Sequence, residues 1–293
     1  DGNLYGHVDP YVSGAAAVAE SIRNVVSVGA RPIALTDCLN YGNPEQGPVF
    51  FDFQEGVRGI GDAANALSMI PNEPVPIISG NVSFYNESKT GNAVVPSPVV
   101  CCVGQMDHYN RALTMQLQVP GSKLILIGER FSEFGGTQFA TLIDQYSISH
   151  VDSTVAPQVR LANEAAQNQV VLKSIQQGYL RSCHDISAGG LWTTLAEMCL
   201  GERGIPRVGV DIHLSEESNI WTWFFSENGG YVIEVADDHL NKVTALLDDA
   251  KVWYHMLGTT ISDTLFRVSQ KEQVLLAPSI DELRLTWSGD RFI

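Results

Sequence analysis

A buried strand that runs into a glycine and then into small polar side chains is a way to bring oxygen ligands and bare backbone to a phosphate. The chain does this at Ile77-Ile78-Ser79-Gly80-Asn81-Val82-Ser83. Gly80 permits close backbone approach, and Asn81 and Ser83 offer oxygen donors. A second such end lies upstream. Ile33-Ala34-Leu35 leads to Asp37 and then to the Gly/Asn/Pro-rich stretch Asn40 to Glu45. A carboxylate at the C-terminal end of a strand is a ligand position, and a turn-forming aspartate is the alternative.

Three further groups carry chemistry. Glu20 and Asn24 stand four residues apart, which puts a carboxylate and an amide on one helix face. That pair reads either as a hard-oxygen half-site for Mg²⁺ or as a solvated face. Cys183-His184-Asp185-Ile186-Ser187-Ala188-Gly189-Gly190 joins a short strand to a helix. Helix N-terminal amides with two glycines form an anion cradle, with Asp185 in position for a metal. Ser187 reads either as a phosphate contact or as the helix N-cap. Gly135-Gly136-Thr137 precedes another short helix and reads as a loop with permissive glycines. Trp221, Trp223, Phe224 and Phe225 read as core or interface. The sequence contains no Walker A, G-x-G-x-x-G, zinc or G-x-S-x-G pattern.

The elements that must position these groups follow from periodicity. Residues 1–107 predict alternating strands and helices: helix from Tyr11 to Gly29, strand from Arg31 to Leu35, helix from Phe53 to Leu67, strands from Val75 to Ser79 and Pro98 to Gln105. The strands are continuous apolar runs, which predicts cover on both faces. The segment from Asp107 to Gly121 predicts a strand and connector. Residues 108–293 predict an α+β unit on a mixed sheet, with strands at Lys123 to Gly128, Val208 to Ile212, Tyr231 to Val235, Trp253 to Gly258 and Thr264 to Val268. Its helices run from Gln158 to Gln177, Leu191 to Leu200 and Asp238 to Ala250.

With 293 residues the chain is long enough for two cores. A net charge of -15 with only 18 scattered Lys and Arg argues against nucleic acid as a partner. An anionic ligand must then be held by metal ions, glycine-loop amides and helix N-termini. Five cysteines without CxxC spacing predict reduced, buried thiols in a cytoplasmic protein. No apolar run is long enough to span a bilayer, so no membrane is expected. The chain opens on Asp1 and its motifs begin at once, as in a piece of a longer polypeptide.

Four stretches together carry a resemblance: Leu4 to Asn24, Gly29 to Glu45 (GARPIALTDCLNYGNPE), Ile78 to Glu87 (ISGNVSFYNE) and His184 to Met198 (HDISAGGLWTTLAEM). The chain resembles the second internal repeat of the phosphoribosylformylglycinamidine synthase family, small-subunit type. That family sits within the superfamily named after aminoimidazole ribonucleotide synthetase. The resemblance implies an α+β fold of two domains, 1–107 a half-barrel and 108–293 an α+β unit. It implies an ATP- and Mg²⁺-dependent amide-to-amidine conversion in purine biosynthesis, with ammonia from glutamine. By motif, Asp37 and Gly80 match ATP contacts, Asn81 a Mg²⁺ ligand and Ser83 a substrate contact. Glu20, Asn24 and Asp185 match Mg²⁺ ligands of the large form of the enzyme, and Ser187 a nucleotide contact at its structural site. The implied partners are the N-terminal half or a second copy through the barrel edge, a glutaminase subunit and a small accessory subunit.

The chain departs from that pattern in two places. It lacks the Ser-His-Asn-His-Pro motif that carries the catalytic histidine in the first repeat. Where the small form shows Glu-Ser-Gln followed by Arg, this chain has Ser226-Glu227-Asn228-Gly229-Gly230-Tyr231. Other readings are a structural nucleotide-binding scaffold, or another superfamily enzyme such as a selenophosphate synthetase or thiamine-phosphate kinase. Those enzymes carry an N-terminal nucleotide motif that this sequence does not show.

Overall fold

The computed structural model describes residues 3–146, 148, 151, 153–201, 207–215 and 219–289. Asp1 lies outside them. The first part runs α1 (Asn3–Gly6), α2 (Pro10–Ser27), β1 (Arg31–Asn40), α3 (Gly47–Ala66), β2 (Ile77–Ser83) and β3 (Ser97–Gln105). Its sheet has the order β2-β1-β3, with β1 parallel to β2 and antiparallel to β3. The second part runs β4 (Lys123–Ile127), α4 (Gln138–Tyr146), α5 (Leu161–Gln176), β5 (Leu180–Asp185), α6 (Gly190–Leu200), β6 (Gly209–Leu214), α7 (Ile220–Phe225), β7 (Tyr231–Val235), α8 (Asp237–Asp249), β8 (Tyr254–Ile261), β9 (Phe266–Gln270), β10 (Gln273–Leu276) and α9 (Ile280–Trp287). Its strands form one mixed seven-stranded sheet, β10-β9-β6-β8-β4-β7-β5, antiparallel except for β6 against β9.

α2 forms where predicted because Pro10 opens it and the Asp9 side chain accepts from the Val12 amide. Its apolar face (Val18, Ile22, Val26) is fully buried and joins β1 to β4, β5, β7, α5 and α8 in one core. A second core lies on the other face of the large sheet, under α6, α7 and α9. β7 is buried at every position, Glu234 included, whose carboxylate accepts from the Gln118 and Val119 amides and the Ser122 and Ser182 hydroxyls.

The first sheet is not covered on both faces as expected. Val100 and Cys102 face the helices and are part-buried, whereas Val99, Cys101 and Val103 alternate with them and are exposed. β2 is exposed from Ile77 to Val82. The sheet is therefore open on the face of Val99, Cys101 and Val103, and its edge strand β2 is exposed on both faces, so strands expected to be covered on both faces present Ile78, Val99 and Val103 to solvent. All five cysteines are free, but the expectation of buried thiols holds only at Cys183 and Cys199: Cys38 and Cys102 are part-buried, and Cys101 is exposed on the open face.

Residues 107–121 make no strand. They form one 3₁₀ turn, Tyr109–Arg111, and a loop. The loop's backbone finds other partners: Leu117 N–H donates to the Met198 carbonyl, and the Gln118 and Val119 amides donate to the Glu234 carboxylate. β1 and β2 run further than predicted, so Asp37, Gly80, Asn81 and Ser83 lie within strands.

α3 carries glycines that weaken it as an isolated helix, and the packing explains two of them. A Cβ at Gly59 would sit 2.1 Å from the Tyr11 carbonyl oxygen of α2, and one at Gly56 2.2 Å from the Tyr41 hydroxyl. At Gly61 there is open space. Gly59→Ala should therefore destabilise by about 1–3 kcal/mol through forced separation of the helices. Gly61→Ala should stabilise by about 0.5–1 kcal/mol from helix propensity alone. Urea midpoints of the two variants, moving in opposite directions, check this; a gain in both would mean that α2 and α3 are not in such close contact.

Candidate functional site

Strand register brings the two sequence-predicted strand ends together. Asp37 on β1 pairs with Gly80 on β2, Cys38 with Asn81, and Asn40 with Ser83. A Cβ at Gly80 would lie 2.0 Å from Asp37 Oδ1, so the Asp37 carboxylate leans over the bare backbone of Gly80 and would have to swing away from any larger residue there. Alternation then puts Asp37 and Gly80 on the helix side, and Asn81 and Ser83 on the open side. One ion cannot bridge Asp37 and Asn81 across the sheet; an extended ligand wrapping the strand pair could touch both. Burial pushes the Asp37 carboxyl pKa up. Ser83 is ordered by Asn86, whose Nδ2 donates to the Ser83 carbonyl at 2.9 Å and the Tyr41 carbonyl at 3.1 Å.

Of the remaining predicted residues, Glu20 and Ser187 come together elsewhere, where α2 meets the second part, and Asn24 and Asp185 do not join them. Glu20 and Ser187 line one small cavity of about 20 Å³ together with Tyr5, Arg23, Glu164 and Glu227. That is room for a water or a single ion. Asn24, one turn further along α2, is exposed and does not line it. Asp185 is 2% exposed at the end of β5. Its Oδ1 meets His184 Nδ1 at 3.2 Å, and its Oδ2 has no hydrogen-bond partner. Ser187 does not cap α6; the cap is Gly189, in the left-handed region at φ 81°.

The cradle at Gly189 already holds an anion. Glu227 Oε1 accepts from the Gly189 amide at 2.8 Å and from the Gln138 amide, at the start of α4, at 2.9 Å. Its Oε2 accepts from the Tyr5 hydroxyl at 2.6 Å. Burial pushes the Glu227 pKa up, and these three donors pull it partly back. The family departures at this loop have a physical cause. A side chain at Gly229 would run into Glu164 Oε1 (2.1 Å) and Arg23 Nη1 (2.4 Å). Tyr231 is fully buried and donates to Asn168 Oδ1 at 2.6 Å. Arg130 Nη1 and Nη2 donate to the Asn228 and Gly229 carbonyls, and burial with Arg23 nearby lowers its pKa to about 9.

Sequence reasoning missed Arg23, Glu164 and Tyr5. The one signal for Arg23 is a cation beside the apolar stripe Val18, Ile22, Val26. Its partner Glu164 is 141 residues away. Magnesium fits these donors in a limited way. Among the described residues no three His, Cys, Asp or Glu side chains stand together for a metal. The unpaired Asp185 oxygen, the Glu20 carboxylate and the exposed Asn81 amide are hard-oxygen donors of the kind that hold Mg²⁺ singly, with phosphates and waters completing the shell.

A half-open three-stranded sheet backed by two helices, followed by a mixed sheet with helices on both faces, defines a two-part α+β protein whose first part lacks a cover. The family models for AIR synthase related proteins match both parts, the N-terminal domain over residues 2–106 and the C-terminal domain over 119–270, and the chain belongs to that family. It is 42% identical over 290 residues to the phosphoribosylformylglycinamidine synthase subunit PurL of Methanothrix thermoacetophila, covering 98% of this chain and 36% of that one. It shares its fold with T. maritima PurL complexed with FGAR, at TM-score 0.73 and 16% identity, covering 96% of this chain and 44% of that one. The same protein complexed with ATP superposes at TM-score 0.69, again at 16% identity, over 96% and 42%. The chain thus spans less than half the length of these relatives. Among the described residues no helix is long and apolar enough to cross a membrane.

Proposed function

We propose that this chain is the C-terminal half of a phosphoribosylformylglycinamidine synthase, an ATP- and Mg²⁺-dependent ligase that converts an amide to an amidine with glutamine-derived ammonia. The reading rests on 42% identity across nearly the whole chain to a subunit of that name, and the strand register of Asp37 with Gly80 supports it. On this reading Asp37 and Gly80 contact ATP, Asn81 ligates Mg²⁺ and Ser83 contacts the substrate on the open face. Magnesium would neutralise the triphosphate, a task for which an acidic chain has few cations to spare. A second, nucleotide-related site centres on Glu20 and Ser187; the resemblance assigns Asn24 and Asp185 to it as well, although neither lines the cavity. The domains divide near residue 107, and the protein works in the cytoplasm with a glutaminase subunit and a small accessory subunit.

The open face bearing Val99, Cys101 and Val103, together with the exposed edge strand β2, is where the missing half, or a second copy, completes the barrel. The chain alone should therefore give no ammonia-dependent turnover. Adding its missing half should restore Mg-ATP binding by calorimetry, and Asn81→Ala should weaken that binding at least tenfold. Turnover by the isolated chain, or an unchanged affinity in the variant, would overturn the assignment. Tightly held ADP with non-exchanging magnesium would instead mark this half as a scaffold.

A further inference from the structure

We propose that Asn86 is a positioning residue for Ser83, holding the serine hydroxyl in the place from which it meets the substrate. The inference rests on the reading of Ser83 as a substrate contact and adds a second residue to it.

Past the end of β2 the chain turns back on itself. Tyr85 sits at φ 59°, in the left-handed region that a residue with a side chain rarely adopts. Its ring is largely exposed, so burial of the ring does not impose that conformation. The backbone around it does. The Tyr85 amide donates to the Gly42 carbonyl at 2.9 Å, the Asn86 amide to the Tyr41 carbonyl at 3.2 Å, and the Asn86 carbonyl accepts from the Val94 amide at 2.9 Å. Strain of this kind persists only where surrounding contacts fix it, and it gathers at ligand-binding loops. Its effect here is to carry the Asn86 side chain back onto Ser83, three residues earlier in the chain.

Asn86 then has one workable orientation. Its Nδ2 lies 2.9 Å from the Ser83 carbonyl oxygen and 3.1 Å from that of Tyr41. Carbonyl oxygens only accept, so the amide nitrogen must face them and the amide cannot be flipped. Both amide protons are thereby committed to the backbone of the two strand ends. Oδ1 is left 3.2 Å from Ser83 Oγ and accepts its proton, and Nδ2 stands 3.1 Å from the same oxygen. A serine without such partners moves among three staggered rotamers. Here the amide flanks Oγ with both of its polar atoms, and the backbone that carries the amide is itself pinned to Tyr41 and Val94. A hydroxyl already held in place loses little freedom when a ligand arrives.

The test uses the whole synthase, this chain together with its N-terminal half, with ammonium chloride in place of glutamine. Ser83→Ala and Asn86→Ala should each raise the KM for formylglycinamide ribonucleotide about fivefold or more, the worth of one hydrogen bond, with kcat and the KM for ATP within about twofold of wild type. Asn86→Ala in the Ser83→Ala background should add less than about twofold, because Asn86 acts through the hydroxyl. Asn86→Asp keeps the shape and an acceptor for the hydroxyl but cannot donate to the two carbonyls. It should raise the same KM, and it guards against a packing defect in the alanine variant. An unchanged KM in Ser83→Ala would remove the reading of Ser83 and the proposal with it. A raised KM in Ser83→Ala, with wild-type values in both Asn86 variants or with additive effects in the double variant, would overturn the proposal and leave that reading standing. So would an equal rise in the KM for ATP in both Asn86 variants, since Asn86 would then brace the strand ends as a whole.

Discussion

Arg23→Met should destabilise the chain by about 3–5 kcal/mol, the largest single-substitution loss expected anywhere in it. Arg23 Nη1 lies 2.9 and 2.7 Å from the two Glu164 oxygens, and both side chains are 6% exposed. Burial alone favours discharging Arg23, but Glu164 and then Asp185 outweigh it and hold the guanidinium pKa above its usual range. The pair is what α2 presents to α5, so it ties the first part of the chain to the second. Removing the cation leaves Glu164 as an uncompensated buried charge, and that desolvation, more than the lost attraction, sets the size of the effect. The double variant Arg23→Met with Glu164→Leu should recover most of the loss, because an apolar pair of similar volume carries no such penalty. Urea unfolding of the wild type, both single variants and the double variant gives the coupling directly. If the double variant loses the sum of the two singles, the pair is not an isolated buried ion pair and the account fails.

The same residues show what could be read from sequence and what could not. Helical spacing in Val18, Ile22 and Val26 placed α2, and short runs rich in apolar residues placed β4 and β7, because each pattern is local. Asp37, Gly80 and Asn81 were legible as neighbours in function. Their division between two faces was not, because it depends on the pairing of Asp37 with Gly80 and shifts with a slip of one residue. Ile77 and Ile78 read as core since a strand awaiting a partner has the same composition as a strand inside a core. The loop from Asp107 to Gly121 read as a strand because its amides' acceptor, Glu234, is more than a hundred residues away. Glu227 stood within a loop marked for its departures, yet its role lies in contacts across 38, 89 and 222 residues of chain. Sequence patterns carry period and composition; these contacts are set by where the helices end in space.

Raising the pH from 6.5 to above 9 in magnesium-free buffer should cost the folded state on the order of 3 kcal/mol through one imidazole. His184 stands between two carboxylates, with Nδ1 3.2 Å from Asp185 Oδ1 and Nε2 3.0 Å from Glu197 Oε2 on α6. Burial works against its charge, but the hydrogen bonds to Asp185 and Glu197 and their charges overcome it and lift the pKa to about 9. In the unfolded chain the pKa is near the ordinary 6.5. The folded state therefore binds the proton more tightly. The stabilisation is fully present below pH 6.5, declines between 6.5 and 9, and is gone above the folded value. Loss of the proton leaves Asp185, already without a partner at Oδ2, beside a neutral ring. In His184→Gln the stability should be nearly flat over that window where the wild type falls. Arg130, whose pKa also lies at about 9, is the same in both proteins and cancels in the difference. Urea midpoints at half-unit steps from pH 6 to 10 give the slope for each protein. A wild-type curve parallel to that of His184→Gln would show that the imidazolium does not hold β5 to α6, and that the loop from Asp185 to Gly189 is positioned by its backbone alone.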